Sequence, residues 1–216
     1  MRPIISVVGK SDSGKTTLLE KLITELKRRG YKVAIIKHTV EDIELDKQGK
    51  DTWRFSQSGS DVVAISSGRK LALMKKLERD FSPQELSRFI AWNYDLILTE
   101  GFKQSGTIKI EVHRKEQGEG LLSPVKQLLA VVTDEPLDID VPQFSMREVQ
   151  GLADLIENKI LAKRKSEEVD LLVNEEHIPL NPFIKSLIAK TLLGMVSSLK
   201  GIKEVKSLHI SLRRKT

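Results

Sequence analysis

Residues Gly9 to Thr16 read Gly-Lys-Ser-Asp-Ser-Gly-Lys-Thr, a complete G-x-x-x-x-G-K-[ST] spacing. The chemistry it offers is anion capture. Glycines let the backbone curl so that successive N–H groups point inward, and a following helix adds the positive end of its dipole. In such a loop Lys15 reaches the β- and γ-phosphates and the Thr16 hydroxyl sits on Mg²⁺. Gly9, Lys10, Ser11, Asp12, Ser13, Gly14, Lys15, Thr16 and Thr17 are therefore the expected nucleotide-binding segment, and the chain is predicted to bind a nucleoside triphosphate.

A second metal contact needs a carboxylate on a strand beside this loop. The candidate strand is Asp95-Leu96-Ile97-Leu98-Thr99-Glu100-Gly101, which carries one carboxylate at each end. Five residues of strand at ~3.3 Å each separate them by roughly 16 Å. Phosphate sites in parallel sheets lie at the carboxyl ends of the strands. Glu100 is thus the metal-side residue, and Asp95 belongs at the far end.

The elements that position these groups can be read from periodicity. Ile4 to Val8 is an apolar strand, and Leu18, Leu19, Leu22, Ile23 and Leu26 repeat at helical spacing, with Gly30 as a stop. Val33 to Ile36 is a second strand, which completes a βαβ unit and implies a parallel sheet. Residues 38–60 are polar and without clear period, as a long functional loop would be. Asp61–Ile65 and Leu71–Met74 are short strand candidates. Ser82-Pro83-Gln84-Glu85 is a capping box opening a helix toward Trp92, and Ser145-Met146-Arg147-Glu148 opens another toward Ala162. Between them, Thr107 to His113 alternates like a half-exposed strand and Leu128 to Thr133 reads as a buried one.

Strands alternating with helices predict an α/β fold of the P-loop NTPase type over residues 1–165, a mainly parallel sheet flanked by helices. After the charge run Lys163-Arg164-Lys165 the organisation changes. Val169–Val173, a turn, Ile178–Leu180, a helix capped by Asn181 and Pro182, and an alternating strand Val205–Leu212 predict a small ββαβ accessory domain over residues 166–216. Its size suits packing on the main domain or on a second copy of itself.

Composition narrows the class. The 216 residues are 39% hydrophobic and 31% charged, and contain no cysteine, which excludes disulfides and thiolate metal sites. No run approaches a membrane span and no signal-peptide pattern precedes the first strand, so a cytoplasmic location is expected. Nearly all of the net charge of +6 falls from Lys163 onward, where eleven basic residues face six acidic ones. No aromatic residues interleave with those basic ones, which argues against nucleic acid as a partner. His38, His113, His177 and His209 lack metal-ligand spacing. Thr133-Asp134, ending a late strand, could bring Asp134 to a base, although a plain turn explains it equally. No catalytic base is assigned; Arg54 and Arg69 are candidate arginine fingers.

Lys10, five residues before Lys15, resembles the signature lysine that crosses to the partner's nucleotide in dimeric ATPases with a deviant Walker loop. More specific is a set of segments: the phosphate loop, Lys37-His38-Thr39, Asp46-Lys47-Gln48-Gly49-Lys50-Asp51-Thr52, and Asp95 to Glu100 followed by Gly101-Phe102-Lys103. Together, over roughly residues 3–160, they resemble the MobB family of molybdopterin-guanine dinucleotide biosynthesis adapter proteins. The resemblance implies a homodimeric GTP-binding protein with Mg²⁺ as cofactor and weak GTP hydrolysis. It further implies a molybdenum cofactor guanylyltransferase as partner, with molybdopterin and molybdoenzymes as further candidates. It carries phosphate and Mg²⁺ roles to Gly9, Gly14, Lys15 and Thr16, and the metal-side carboxylate to Glu100. Asp46, Gly49, Lys50 and Asp51 would lie on a loop near the nucleotide, where oxyanions or the partner are met, with His38 nearby. Where family members carry further histidines after the Lys-His pair, this chain has Val40-Glu41. The alternative function is a P-loop small-molecule kinase using ATP; a partitioning-type ATPase is a third.

Overall fold

A computed structural model describes residues 3–41, 43, 46–90, 94–118, 120–162, 169, 171–174, 176–202, 204–205 and 208–212. Six strands form one sheet in the order β2-β5-β1-β6-β7-β8. They are β1 (Ile4–Gly9), β2 (Val33–Lys37), β5 (Leu96–Glu100), β6 (Ile108–Val112), β7 (Leu128–Val132) and β8 (Gln143–Phe144). Every pairing in this sheet is parallel. The expected P-loop NTPase-type α/β fold is therefore the observed one. Because the strands run the same way, Gly9, Lys37, Glu100, Val112, Val132 and Phe144 all end on one edge, and the loops that follow them share that edge.

Helix α1 (Lys15–Arg28) buries Leu18, Leu19, Leu22 and Leu26 and contacts β1, β2 and β5. Its end is a complete Schellman motif. Gly30 sits at φ 91°, its N–H bonds Lys27 O and the Tyr31 N–H bonds Leu26 O. Glu25 on the last turns accepts from both Arg28 and Arg29, and these bonds hold its carboxyl at about 2, against an ordinary 4.5. Helix α3 (Pro83–Ile90) begins with the expected capping box: Ser82 N–H donates to Glu85 Oε2 (2.9 Å) and Glu85 N–H to Ser82 Oγ (3.3 Å). Its Leu86 and Ile90 cover a cluster of Ile4, Ala34, Ile36, Ile97 and Phe102. The helix is described as far as Ile90; Trp92 lies outside the described residues.

Strand β6 departs from expectation. Its alternating charges predicted a half-exposed strand, yet Lys109 and Glu111 are 0% and 1% exposed. Position explains it: β6 lies between β1 and β7 in a parallel sheet, where both faces are covered. The charges are satisfied internally. Lys109 Nζ donates to Ser105 O and Gln127 Oε1, and Glu111 accepts the N–H groups of Leu122 and Ser123 at 2.6 and 2.9 Å. Burial lowers the Lys109 pKa from its ordinary value, and Glu111 opposes that shift. A chain of hydroxyls also crosses three strands. Thr99 donates to Ser6 (2.9 Å) and Ser105 to Phe102 O; with one proton per hydroxyl, Ser6 then donates to Thr107 (2.6 Å) and Thr107 to Ser105 (2.7 Å).

The two short strands expected in residues 61–74 form a separate antiparallel hairpin, β3 (Val62–Ser67) and β4 (Lys70–Lys75), preceded by α2 (Asp51–Gln57). Helix α4 (Val149–Ile156) starts after the second capping box, of which one half forms, Ser145 N–H to Glu148 Oε2; the helix runs on through a π-helical turn, Glu157–Leu161.

The chain divides into two compact units, residues 2–154 and 155–216. In the second, β9 (Leu171–Val173) and β10 (Glu176–Ile178) pair antiparallel, with Asn174 at φ 50° in the turn. Helix α5 (Pro182–Ser197) is capped as expected, Asn181 Oδ1 accepting from Ile184 N–H at 2.9 Å. Of the closing strand expected at Val205–Leu212, the described residues 205 and 208–212 are in no strand, and residues 206–207 lie outside the described residues. A period-2 pattern becomes a strand only where a neighbour's ladder accepts it.

Candidate functional site

The strand order decides which loops meet. β1 is flanked by β5 and β6, so its phosphate loop lies between the ends of those two strands. Gly9 pairs with Val112 and Val7 with Glu100. A Cβ on Gly9, at φ 152°, would lie 2.5 Å from Val112 O and 2.7 Å from Ser13 Oγ. Only glycine fits there.

Gly14 is the N-cap of α1, in the left-handed conformation, and no side chain caps that end. No acidic residue lies in the first turn. The first-turn N–H groups have no intrahelical partner, so this end of the helix is suited to an oxyanion. Ser13 Oγ is buried without a hydrogen-bond partner among the described residues. Lys15 Nζ donates to Lys10 O at 2.6 Å, which folds the ammonium over its own loop. Burial lowers the Lys15 pKa from its ordinary value, with Glu100 as the main opposing charge. Asp12 takes a left-handed φ of 58° and is exposed, as are Ser11 and Thr17.

Glu100 is where strand geometry put it. Thr16 Oγ1 donates to Glu100 Oε2 at 3.0 Å, and Lys37 Nζ stands 3.7 Å from Oε1. Asp95 is at the opposite end of β5, accepting from the Lys32 N–H at 2.8 Å. A hydroxyl and a carboxylate at this separation, half open to solvent, form a hard-oxygen pair that fits Mg²⁺.

The remaining candidates fall into separate groups. Asp46, Lys50 and Asp51 line a cavity of about 380 Å³ with Lys47, Thr52 and Ile65. Asp46 Oδ2 is buried there without a hydrogen-bond partner among the described residues. Gly49 precedes it in the turn that leads into α2, at φ 86°. His38 is directed elsewhere: its Nε2 is 2.9 Å from Asp80 Oδ2 and its ring lies 4.4 Å from that of Phe102. Asp134, at the end of β7, accepts from Lys115 N–H and is 3.7 Å from Arg114 Nη1. Arg54 and Arg69 are both exposed, on α2 and in the β3–β4 turn. Among the described residues no three His, Asp or Glu side chains converge as metal ligands.

Sequence reasoning missed the residues that touch the loop from the β6 side. Arg114 Nε donates to Ser13 O at 3.0 Å and Gln117 Nε2 to Ser11 O at 2.6 Å, while Lys10 Nζ donates to Gln117 O of the same chain. Nothing in local sequence marks them. Only the placement of β6 beside β1 brings them there.

A parallel sheet with a G-x-x-x-x-G-K-T loop after β1 and a carboxylate facing its threonine from the adjacent strand defines a P-loop NTPase-type protein. Residues 4–134 match the family described as Molybdopterin guanine dinucleotide synthesis protein B, MobB, and the chain belongs to that family. It is similar to the molybdopterin-guanine dinucleotide biosynthesis adapter protein of Haemophilus influenzae, 40% identical over 72% of this chain and 88% of the relative. A Methanocaldococcus jannaschii relative is 28% identical over 97% of both chains, so its match extends into residues 155–216. The crystal structure of Bacillus subtilis MobB covers 73% of this chain and 97% of its own, at 27% identity and a TM-score of 0.59.

Proposed function

We propose that this protein is a GTP-binding adapter in molybdenum cofactor biosynthesis, assisting a guanylyltransferase as it attaches GMP to molybdopterin, with slow GTP hydrolysis. The observation that carries this reading is the uncapped α1 terminus beside the Thr16–Glu100 pair. Family membership supports the pathway and the adapter role.

In this reading the first-turn N–H groups of α1 receive the phosphates, and Lys15 leaves Lys10 O to reach the β- and γ-oxygens. Thr16 and Glu100 hold Mg²⁺, which when bound neutralises charge on the phosphate oxygens. Asp134, on the rim of the same sheet edge, accepts the base. Slow hydrolysis follows where the water-positioning group is missing or supplied by the partner, and the sequence assigns no catalytic base here. Asp46, Lys50 and Asp51 present a polar cavity for an oxyanion or for the transferase. The protein works as a homodimer in the cytoplasm.

Calorimetric titration of GTP and of ATP, each with Mg²⁺, into the protein and into Lys15→Ala tests this. GTP binding preferred over ATP and abolished by the substitution is expected. Preference for ATP would overturn the guanine assignment and point to a small-molecule kinase.

A further inference from the structure

We infer that Arg114 and Gln117 are positioning residues that orient the phosphate loop's peptide groups for anion capture, an inference that rests on the reading of that loop as a nucleoside triphosphate site. The reasoning starts from the peptide plane. In a trans peptide the C=O of one residue and the N–H of the next point in opposite directions, and the plane is rigid. Fixing a carbonyl on the outer side of the loop therefore fixes the following N–H on the inner side.

Two such carbonyls are held. Arg114 Nε donates to Ser13 O at 3.0 Å, which sets the Gly14 N–H, and Gln117 Nε2 donates to Ser11 O at 2.6 Å, which sets the Asp12 N–H. Both donors are themselves restrained. The Arg114 guanidinium lies against Gly14, where a Cβ would come within 3.4 Å of Nη2, and its Nη1 is 3.7 Å from Asp134 Oδ2. Gln117 ends a short 3₁₀ turn, Lys115–Gln117, whose last carbonyl accepts from Lys10 Nζ. Lys10 and Gln117 thus clasp each other: the loop's lysine holds the turn, and the turn's amide holds the loop. The Arg114 bond to Ser13 O is half-buried, so water competes with it less than at an open surface, whereas the Gln117 bond to Ser11 O is exposed. A loop held in this way has lost much of its freedom before the ligand arrives, and preorganisation of that kind is gained as affinity.

The decisive variant is Gln117→Met, which keeps length and charge state but removes the amide donor. Arg114→Lys keeps the charge but loses the planar fork that serves Ser13 and Asp134 together. Affinity for Mg-GTP and for inorganic triphosphate would be measured by calorimetry, and the thermal midpoint of the ligand-free protein by circular dichroism. Each variant is expected to weaken both probes by about tenfold, since a phosphate-orienting role is blind to the base. The ligand-free midpoint should fall only slightly, since each variant removes bonds to one loop and leaves the sheet's core intact. Unchanged affinity for both probes, loss confined to GTP, or a ligand-free midpoint that falls in proportion to the affinity would each overturn the inference. Wild-type protein that binds neither probe, or Lys15→Ala protein that binds as wild type does, would instead refute the phosphate-site reading and this inference with it.

Discussion

Replacing Gly9 by alanine tests the close approach of the phosphate loop to β6. Two costs combine at this position. The backbone sits at φ 152°, outside the range side chains readily adopt, and strain of this kind costs about 1–3 kcal/mol. The added Cβ would also meet Val112 O at 2.5 Å, inside any tolerable contact. Because that atom belongs to the paired backbone of β6, relief requires the β1–β6 ladder to shift, and overpacking of this sort costs about 1–3 kcal/mol. A loss of about 2–6 kcal/mol is expected. Gly30→Ala is the matched control. Gly30 lies at φ 91° with nothing within 4 Å of its Cβ direction, so it carries the backbone term alone, about 1–2 kcal/mol. Urea unfolding of both variants and the wild type, followed by circular dichroism, separates the two costs. If Gly9→Ala is no more destabilising than Gly30→Ala, the inferred clash with β6 is wrong.

Two further expectations concern interior polar groups. Glu25, held at about 2 by Arg28 and Arg29 against an ordinary 4.5, stabilises the fold fully above pH 4.5 and progressively less as pH falls toward 2. Thermal midpoints measured across that window should therefore fall less steeply for Glu25→Gln than for wild type. Ser6→Ala breaks the hydroxyl chain at its centre and leaves Thr99 without its acceptor; a loss of about 1–3 kcal/mol in denaturant unfolding is expected, and a loss near zero would mean that water replaces the serine.

The local parts of the site were legible in the sequence. The G-x-x-x-x-G-K-T loop is a fixed spacing, α1 a clear period, and placing Glu100 rather than Asp95 on the loop's side of the sheet needed only the rise of a strand and the edge on which such loops gather. Strand order was not legible. β5 is inserted between β2 and β1, pairing Val33 with Leu96 and Ile4 with Ile97, partners far apart in the chain, and nothing local records it. Two errors follow from that gap. Lys109 and Glu111 look like the wet side of a strand because charge usually means solvent, whereas the interior position of β6 buries them, and backbone groups together with the Gln127 side chain satisfy them. Arg114 and Gln117 look like ordinary loop residues because their contacts with Ser13 and Ser11 exist only once β6 lies beside β1. The described residues of Val205–Leu212 are in no strand for the complementary reason: alternation states a willingness to pair, and the pairing has to be supplied by another strand.

The placement of β5 also constrains how the chain acquires its fold during synthesis. Among the described residues β1 pairs with β5 and β6 and β2 with β5, so neither of the first two strands has a described partner in the first ninety-five residues. At about 5–20 residues per second, the ribosome takes roughly 3–13 s to extend from the end of β2 to the end of β5. Through that interval two apolar strands stand ready, with α1 between them and no ladder to join. The nascent chain is then at its most exposed to chaperones and to neighbouring chains, and emergence of Leu96–Glu100 closes the interval by zipping β1 and β2 onto one template.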